Sequence, residues 1–437
     1  MSAIDLSHYV ERAQAADVMP AEGQVHEVVG LLVEVVGLSA ATGDRLEVAL
    51  PDRALALEVL GFRKGRLLAA PLGPTTGVQH GARVIRRARG AHVEAGDALL
   101  GRVIDAFGNP LDGKPMPLAT HRVPLRREPP PAFARRPIDQ QIDTGVRVLD
   151  ALLPIGQGQR LGLFAGTGVG KSTLLAMLCR RARADVVVVG LIGERGREVG
   201  DFVRNALGPE GLGHAVVVVA TSDQPPLVRA QGALQATAIA EYFRDRGKNV
   251  LLLMDSITRY AMALREATLA AGEPPVTKGY TPSVFAALPA LFERAGNTSE
   301  QGSITAIYTV LVEGDDMNDP IADTVRGTLD GHIVLSRDLA QRGLFPSVDV
   351  LASVTRVFMD ITTAEHRQSA NQIRDWLGAH REAADLLKIG AYVAGSDPRV
   401  DAAISTMPHI EGLIRQELDE PSDQRLAVQT LHTIAAS

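Results

Sequence analysis

Residues Ala165 to Ser172 read AGTGVGKS, directly after the apolar run Leu161, Gly162, Leu163, Phe164 and directly before a helical pattern from Thr173 to Cys179. A glycine-rich turn that closes on Gly170, Lys171 and Ser172 between a strand and a helix is built to hold a nucleoside triphosphate. Its glycines permit positive φ and close backbone approach, so that successive N–H groups converge on an anion at a helix N-terminus. Lys171 is expected to reach the β- and γ-phosphates and Ser172 to place its hydroxyl on Mg²⁺. The phosphate cradle is expected to comprise Ala165, Gly166, Thr167, Gly168, Val169, Gly170, Lys171, Ser172 and Thr173. Ala165 stands where the strict pattern has glycine, a slot that is permissive in many such loops.

The remaining composition narrows the partners. A chain of 437 residues is long for one core and suggests two or three domains. With 46% hydrophobic and 22% charged residues it reads as a globular protein of ordinary make-up. Only 4% aromatics and a net charge of −6 advertise no nucleic-acid face. The local basic strip Arg83, Arg86, Arg87 and Arg89 reads as a solvated strand face. The single cysteine, Cys179, falls on the apolar side of a helix, which excludes a disulfide framework and a cysteine metal site and suits a reducing, cytoplasmic setting. Leu31 to Leu38 is broken by Glu34, so no stretch has the length of a membrane span. Asp5 near the start, without a basic segment and apolar core, argues against a signal peptide. Any membrane contact is expected to be peripheral or through partners.

Along the chain, residues 1–22 are a weakly amphipathic segment stopping near Pro20, read as a docking helix or a frayed terminus. Residues 23–91 carry short apolar runs, Val28 to Val36, Arg45 to Leu50, Ala54 to Leu60 and Arg83 to Arg87, separated by turn residues, which predicts a small β-barrel. The proline-rich stretch Pro110 to Pro137 continues neither helix nor central strand and reads as an extended connection. It leads into a core assigned to residues 92–363, with unalternating runs at Val186 to Val189, Val216 to Val219, Val250 to Met254, Ile304 to Val312 and Ile333 to Leu335. Such runs predict strands buried on both faces in a parallel α/β sheet wrapped by helices. From 364 to 437 the pattern is helical. A capping box from Thr362 to Glu365 starts one helix, with Ile373, Trp376 and Leu377 on one side until Gly378, and Asp397-Pro398 starts another.

The chemistry-bearing residues follow the strands. Asp255 ends Asn249-Val-Leu-Leu-Leu-Met, which puts its carboxylate at the C-terminal edge of the sheet, placed to hold Mg²⁺ opposite Ser172. Arg259, one turn on, is placed to sense a γ-phosphate, or else makes an ordinary surface ion pair. Glu194, in GERGREVGDF after the Val186 strand, is placed to polarise an attacking water, or else is an idle acid at a helix N-terminus. Arg195 and Arg197 beside it can complete a polar network. Arg356 lies far along the chain and in isolation is an ordinary arginine; a ring assembly would allow it to serve a neighbouring subunit's site. Phe345 offers a flat face for adenine, or a core contact. Glu313, Asp315, Asp316, Asp319 and Asp323 offer a divalent-ion site as one reading, and a solvated loop ending in an Asp319-Pro320 helix start as the preferred one.

These strings, together with GRVIDAFGNPLDG, LLLMDSITRYA and FPSVDVLASVTR, resemble the rotary-type ATPases related to the F-type ATP synthase catalytic subunit. The segments EPPVTKGYTPSVFAALPALFERAGN, EGDDMNDPIADTVRGTLDGHIVLSR and GAYVAGSDPRVDAAI are similar to the flagellum-specific type III export ATPases, the FliI family. The resemblance implies an N-terminal β-barrel, a RecA-like core, a helical C-terminal domain and a homohexamer with ATP sites between subunits. It implies that Lys171 and Ser172 are the P-loop pair, Asp255 the metal-side acid, Glu194 the catalytic glutamate, Arg356 the trans-acting arginine and Phe345 the adenine-stacking aromatic, a position usually held by tyrosine. Thr281 stands where relatives typically have a second proline. The resemblance also implies ATP and Mg²⁺ as ligands. Its implied partners are a stator-like regulatory protein, export-gate components, export chaperones and flagellar substrates, with a cytoplasmic location against the inner membrane. The injectisome branch of the same ATPases is the alternative. An RNA-translocating helicase would need stacking aromatics, and residues 23 to 90 hold only Phe62; a non-catalytic ring subunit would lack Glu194.

Overall fold

The computed structural model describes residues 22–437 apart from 89–90, 119–120, 313, 315 and 317; the expected docking segment 1–20, Arg89, Glu313 and Asp315 lie outside the described residues. Two compact units result, one from the chain up to Ala91 with Ala267–Glu273, the other from His92–Glu266 and Pro274–Ser437.

The first unit contains a closed barrel. Its strands are β1 (Glu22–Val29), β2 (Leu32–Val36), β3 (Arg45–Ala49), β4 (Ala54–Arg63), β5 (Arg66–Pro71) and β6 (Arg83–Ala88), closing in the order β1-β2-β5-β4-β3-β6. Alternate residues Val33, Val35, Leu46, Val48, Leu55, Leu57 and Val59 point inward and are buried, the period-2 pattern of a sheet with one wet face. The apolar run Val28 to Val36 is two strands, not one, because Gly30 takes φ 56° and turns the chain into a hairpin. β5 was not among the expected runs; the Lys64-Gly65 turn, both residues at positive φ, folds it back on β4. The basic strip is a solvated strand face paired with acids, Arg83 with Glu22 and Arg87 with Glu47 at 2.7 Å.

In the second unit β7 (His92–Ala95) pairs with β9 (His121–Pro124), and β8 (Arg102–Asp105) is the edge of the main sheet. That sheet continues with β10 (Arg160–Ala165), β11 (Val186–Ile192), β12 (Ala215–Ala220), β13 (Asn249–Asp255), β14 (Gly296–Asn297), β15 (Ser303–Leu311), β16 (Gly331–Val334) and β17 (Val354–Thr355). Its order is β17-β16-β10-β15-β13-β11-β12-β8, parallel from β16 to β8, with β17 antiparallel at one edge and β14 antiparallel against β15. All seven residues of β11 are buried, as expected of a strand covered on both faces. The helix Pro226–Arg244 covers β11, β12 and β13, and Gly232 lets it approach closely: a Cβ there would lie 2.9 Å from the Cβ of Ala220.

Among its described residues the proline-rich stretch supplies β9 and a short turn at Ala132–Ala134 and no α-helix. It is tied down by Arg294, which donates to the Leu125 carbonyl and, at 2.7 and 2.9 Å, to the buried carboxylate of Glu241. The C-terminal helices span Ala364–Lys388, Pro398–Ile414 and Gln424–Ala435. The first is capped by Thr363, whose hydroxyl accepts from the His366 N–H; Thr362 belongs to the preceding turn, so the start moves one residue from its expected place. It also runs straight through Gly378 to Lys388, since Ala379 and Ala383 continue the buried stripe of Ile373 and Trp376. Asp397 and Asp319 cap their helices as expected, accepting from the N–H groups of Arg399 and Ile321. The second unit is therefore an α/β, RecA-like P-loop core followed in the chain by a helical region, and the barrel precedes both.

Candidate nucleotide-binding site

Four neighbouring strands, β10, β15, β13 and β11, point their C-terminal ends to one edge of the sheet, where ligands of open α/β sheets bind. The P-loop leaves β10 there and enters the helix Lys171–Arg181, with Gly168 at φ 77° and Gly170 at φ 90°. Thr167, Gly168, Ser172 and Thr173 are exposed, and a Cβ on Gly168 would meet nothing, so the cradle stands open. Two contacts hold it from behind: the buried Ser347 hydroxyl donates to the Val169 carbonyl at 2.6 Å, and Arg337 donates to the Thr167 carbonyl at 3.4 Å.

Asp255 ends β13, 4% exposed, and Glu194 follows β11 after Gly193. Gly193 has φ 71°, and a Cβ on it would come within 2.8 Å of the Cβ of Arg259, so only glycine allows Arg259 to lie against the Glu194 turn. Lys171 donates to Oδ1 of Asp255 and lies 3.5 Å from Oε1 of Glu194. Burial works against the Lys171 charge, and the Asp255 and Glu194 carboxylates outweigh it and hold its pKa above the ordinary lysine value. Burial raises the Glu194 pKa; the Lys171 ammonium opposes this and the Asp255 carboxylate adds to it. The Oδ1 atom of Asp255 also accepts a hydrogen bond from the hydroxyl of Thr309 at 2.7 Å.

The other expected residues divide. Arg259 is at the site, its Nε buried with no hydrogen-bond partner among the described residues, an arrangement that suits an incoming anion. Phe345 is 39% exposed and its ring lies against the P-loop, Cδ1 being 3.2 Å from where a Cβ on Gly170 would stand. Its carbonyl accepts from the Gln416 N–H of the helical region. Arg195 does not join the Lys171 cluster: its side chain is 79% exposed and faces Glu198 at 3.6 Å, while Arg197 faces Asp201. Arg356 is exposed at the opposite end of the sheet. It follows β17, which pairs with Gly331 and His332 at the start of β16, whereas the P-loop follows the far end of β10. Its guanidinium donates to the Arg326 carbonyl. Asp316 and Asp319 face Lys278, and among the described residues this loop gathers no metal-ligand cluster. Thr309 and Ser347 were not singled out from the sequence. Thr309 stands in SITAIYTVL and Ser347 in FPSVDV, strings in which one hydroxyl among other polar groups marks no role.

An exposed Ser172 hydroxyl and the Asp255 carboxylate are hard oxygen donors of the kind Mg²⁺ prefers, and the open cradle with its unpaired Arg259 Nε suits a polyphosphate. No helix among the described residues is long and apolar enough to cross a membrane.

The family model for the ATP synthase alpha/beta family, nucleotide-binding domain, matches residues 145–355, and that for the T3SS EscN ATPase C-terminal domain matches residues 362–433. The flagellum-specific ATP synthase of Bacillus subtilis (strain 168) is 50% identical over 403 residues, 92% of either chain. The SPI-2 type 3 secretion system ATPase of Salmonella typhimurium (strain LT2) is 51% identical over 384 residues, 88% of either chain. Among solved structures, the assembled ATPase EscN in complex with its central stalk EscO, from the enteropathogenic E. coli type III secretion system, superposes with a TM-score of 0.88 at 42% identity, covering 94% of this chain and all of that one. The open P-loop, the acids gathered at the same sheet edge and these likenesses lead to one conclusion: the chain belongs to the family of flagellum-specific ATP synthases and type III secretion ATPases, a branch of the ATP synthase alpha/beta family.

Proposed function

We propose that this chain is an Mg-dependent ATP hydrolase that energises flagellar type III protein export, releasing chaperones and delivering unfolded subunits at the export gate. The observation that carries the hydrolase reading is the contact of Lys171 with both Asp255 and Glu194 at the mouth of the P-loop. The lysine neutralises one buried and one half-buried acid. A triphosphate in the cradle competes for that ammonium and frees both carboxylates for their own tasks. Ser172 and Asp255 would hold Mg²⁺, which supplies charge neutralisation on the phosphates when bound. Glu194 accepts a proton from, or orients, the attacking water. Arg259 faces the transferred group, and Phe345 offers its ring to adenine. Arg356, at the far end of its own sheet, serves the site of a neighbouring subunit, which requires a ring; a homohexamer fits, and the assembled state named for EscN supports it. The stalk bound to EscN likewise supports a regulatory partner of that kind here. Export chaperones, gate components and a peripheral cytoplasmic place at the inner membrane complete the proposal.

The likeness to the SPI-2 ATPase favours a second reading, in which the same chemistry drives an injectisome. Deletion of the gene separates the two. Loss of motility and filament export is expected; loss of effector secretion with normal swimming would replace the flagellar reading with the second one.

A further inference from the structure

We propose that Thr309 is a positioning residue of the nucleotide site: its hydroxyl holds Oδ1 of Asp255 and so keeps Oδ2 as the oxygen that faces a divalent cation. The proposal rests on the reading of Asp255 as the metal-side acid. Thr309 is fully buried on β15, the strand between the P-loop strand β10 and the Asp255 strand β13. A buried hydroxyl must donate somewhere. Two acceptors are in reach, the Met254 carbonyl at 3.2 Å and Oδ1 of Asp255 at 2.7 Å, and the shorter contact to a charged oxygen is the stronger. A threonine on a strand is stiff at χ1, so this donor keeps its direction.

The consequence depends on what Lys171 does. Oδ1 of Asp255 accepts from both Lys171 and Thr309. Once phosphate draws the ammonium away, Thr309 is the donor that remains on Oδ1, and a carboxylate lacking it is free to turn about its own axis. A second brace lies next door, where the Leu311 N–H donates to the Thr258 hydroxyl at 2.9 Å and fastens the end of β15 to the segment after Asp255. Orientation of the acid is thereby tied to β15, not to the P-loop.

Fluorescence titration with the ADP analogue mant-ADP, in excess Mg²⁺ and in EDTA, tests this on the full chain. Thr309→Val keeps the shape and deletes the donor. The expected result is that the Mg²⁺-dependent gain in affinity drops about tenfold, the scale of a hydrogen bond to a charged group, while the affinity in EDTA is unchanged. Thr309→Ser is expected to restore the gain. Should the valine variant not fold, Thr309→Ala removes the same hydroxyl with a smaller side chain and is expected to give the same drop. A wild-type Mg²⁺ response in the valine or alanine variant overturns the proposal alone, as does an equal loss of affinity in EDTA, which would mark a collapsed site. A wild-type chain that binds mant-ADP no better with Mg²⁺ than without it overturns the reading of Asp255 and the proposal with it.

Discussion

The Lys171 ammonium donates to the Asp255 carboxylate, joining the first residue of the P-loop helix to the last residue of a strand two places away in the sheet. This cation is the charge that lets Asp255 and Glu194 share one corner of the sheet edge. Removing it has two effects that are measured separately. Lys171→Ala is expected to lower phosphate release by about a hundredfold or more, as for loss of a group that stabilises developing charge. It is also expected to lower the nucleotide-free unfolding temperature, because two unpaired carboxylates are left in a desolvated pocket. That deficit should shrink as the pH falls, since protonation relieves the repulsion. Calorimetry at pH 8 and pH 5 checks the sign; a deficit that grows on acidification would contradict it.

Glu194 has its pKa raised by burial above the ordinary value of 4.5, the Lys171 ammonium notwithstanding. A base with a raised pKa is lost to protonation earlier on acidification. The acid limb of kcat/KM, which reports the free enzyme, is therefore expected above the range of an exposed glutamate. Glu194→Gln should bind nucleotide normally, lose turnover by about a hundredfold or more, and show no acid limb of this origin. A profile whose acid limb coincides with that of a free glutamate would remove Glu194 from the base's role.

Local chemistry in this chain was readable and remote contact was not. The P-loop, Asp255 and Glu194 each sit in a strand–turn–helix string whose glycines and apolar run are adjacent in sequence, so their shared edge followed from parallel-sheet logic. The barrel was legible as alternation, but the Val28 to Val36 run concealed a hairpin because apolar residues continue through the Gly30 turn. The helix ending expected at Gly378 failed for the opposite reason: nothing packs where its Cβ would be, so the glycine marks no boundary and the buried stripe runs on. Thr309 and Ser347 act on residues 54 and 178 positions away, a relation that only the fold creates. Arg195 lost its expected company because the helix that begins at Gly196 turns its side chain to Glu198 and solvent.

Arg356 follows β17 at the end of the sheet where β16 begins, and its own P-loop lies beyond the other end of β10. Within one chain it therefore stands at the opposite end of the sheet from the P-loop. Arg356→Ala is expected to reduce ATPase turnover about a thousandfold, the scale of an arginine supplied in trans, with little change in nucleotide affinity. The decisive measurement mixes subunits. Arg356→Ala and Glu194→Gln chains are each expected to be nearly inactive, and co-assembly creates seams that pair an intact Glu194 with an intact Arg356 across the boundary. Recovery of ATPase activity on mixing is the expected outcome; activity no greater than the sum of the separate proteins would place Arg356 outside the reaction.

Asp150 provides a test of stability away from the nucleotide. It is fully buried in the helix Arg147–Leu152, and burial lifts its pKa to about 7 although the Thr144 N–H and hydroxyl both donate to its Oδ1, at 3.0 and 2.8 Å. Its Oδ2 is buried with no hydrogen-bond partner among the described residues. A carboxyl whose folded pKa exceeds its unfolded one favours the fold in its neutral form, so its contribution is complete near pH 3 to 4 and is lost as the pH rises to about 7. An asparagine side chain at this position would keep an oxygen for Thr144 and never ionise. Asp150→Asn is therefore expected to match the wild type in thermal stability near pH 4, to gain on it steadily through the window up to about 7, and to hold a constant advantage of roughly a few degrees above that. Melting curves of both proteins at pH 4, 6 and 8 decide it. An advantage that is already full at pH 4, or that reverses at pH 8, would show that Asp150 is ionised in the fold and that its unpartnered oxygen is satisfied by other means.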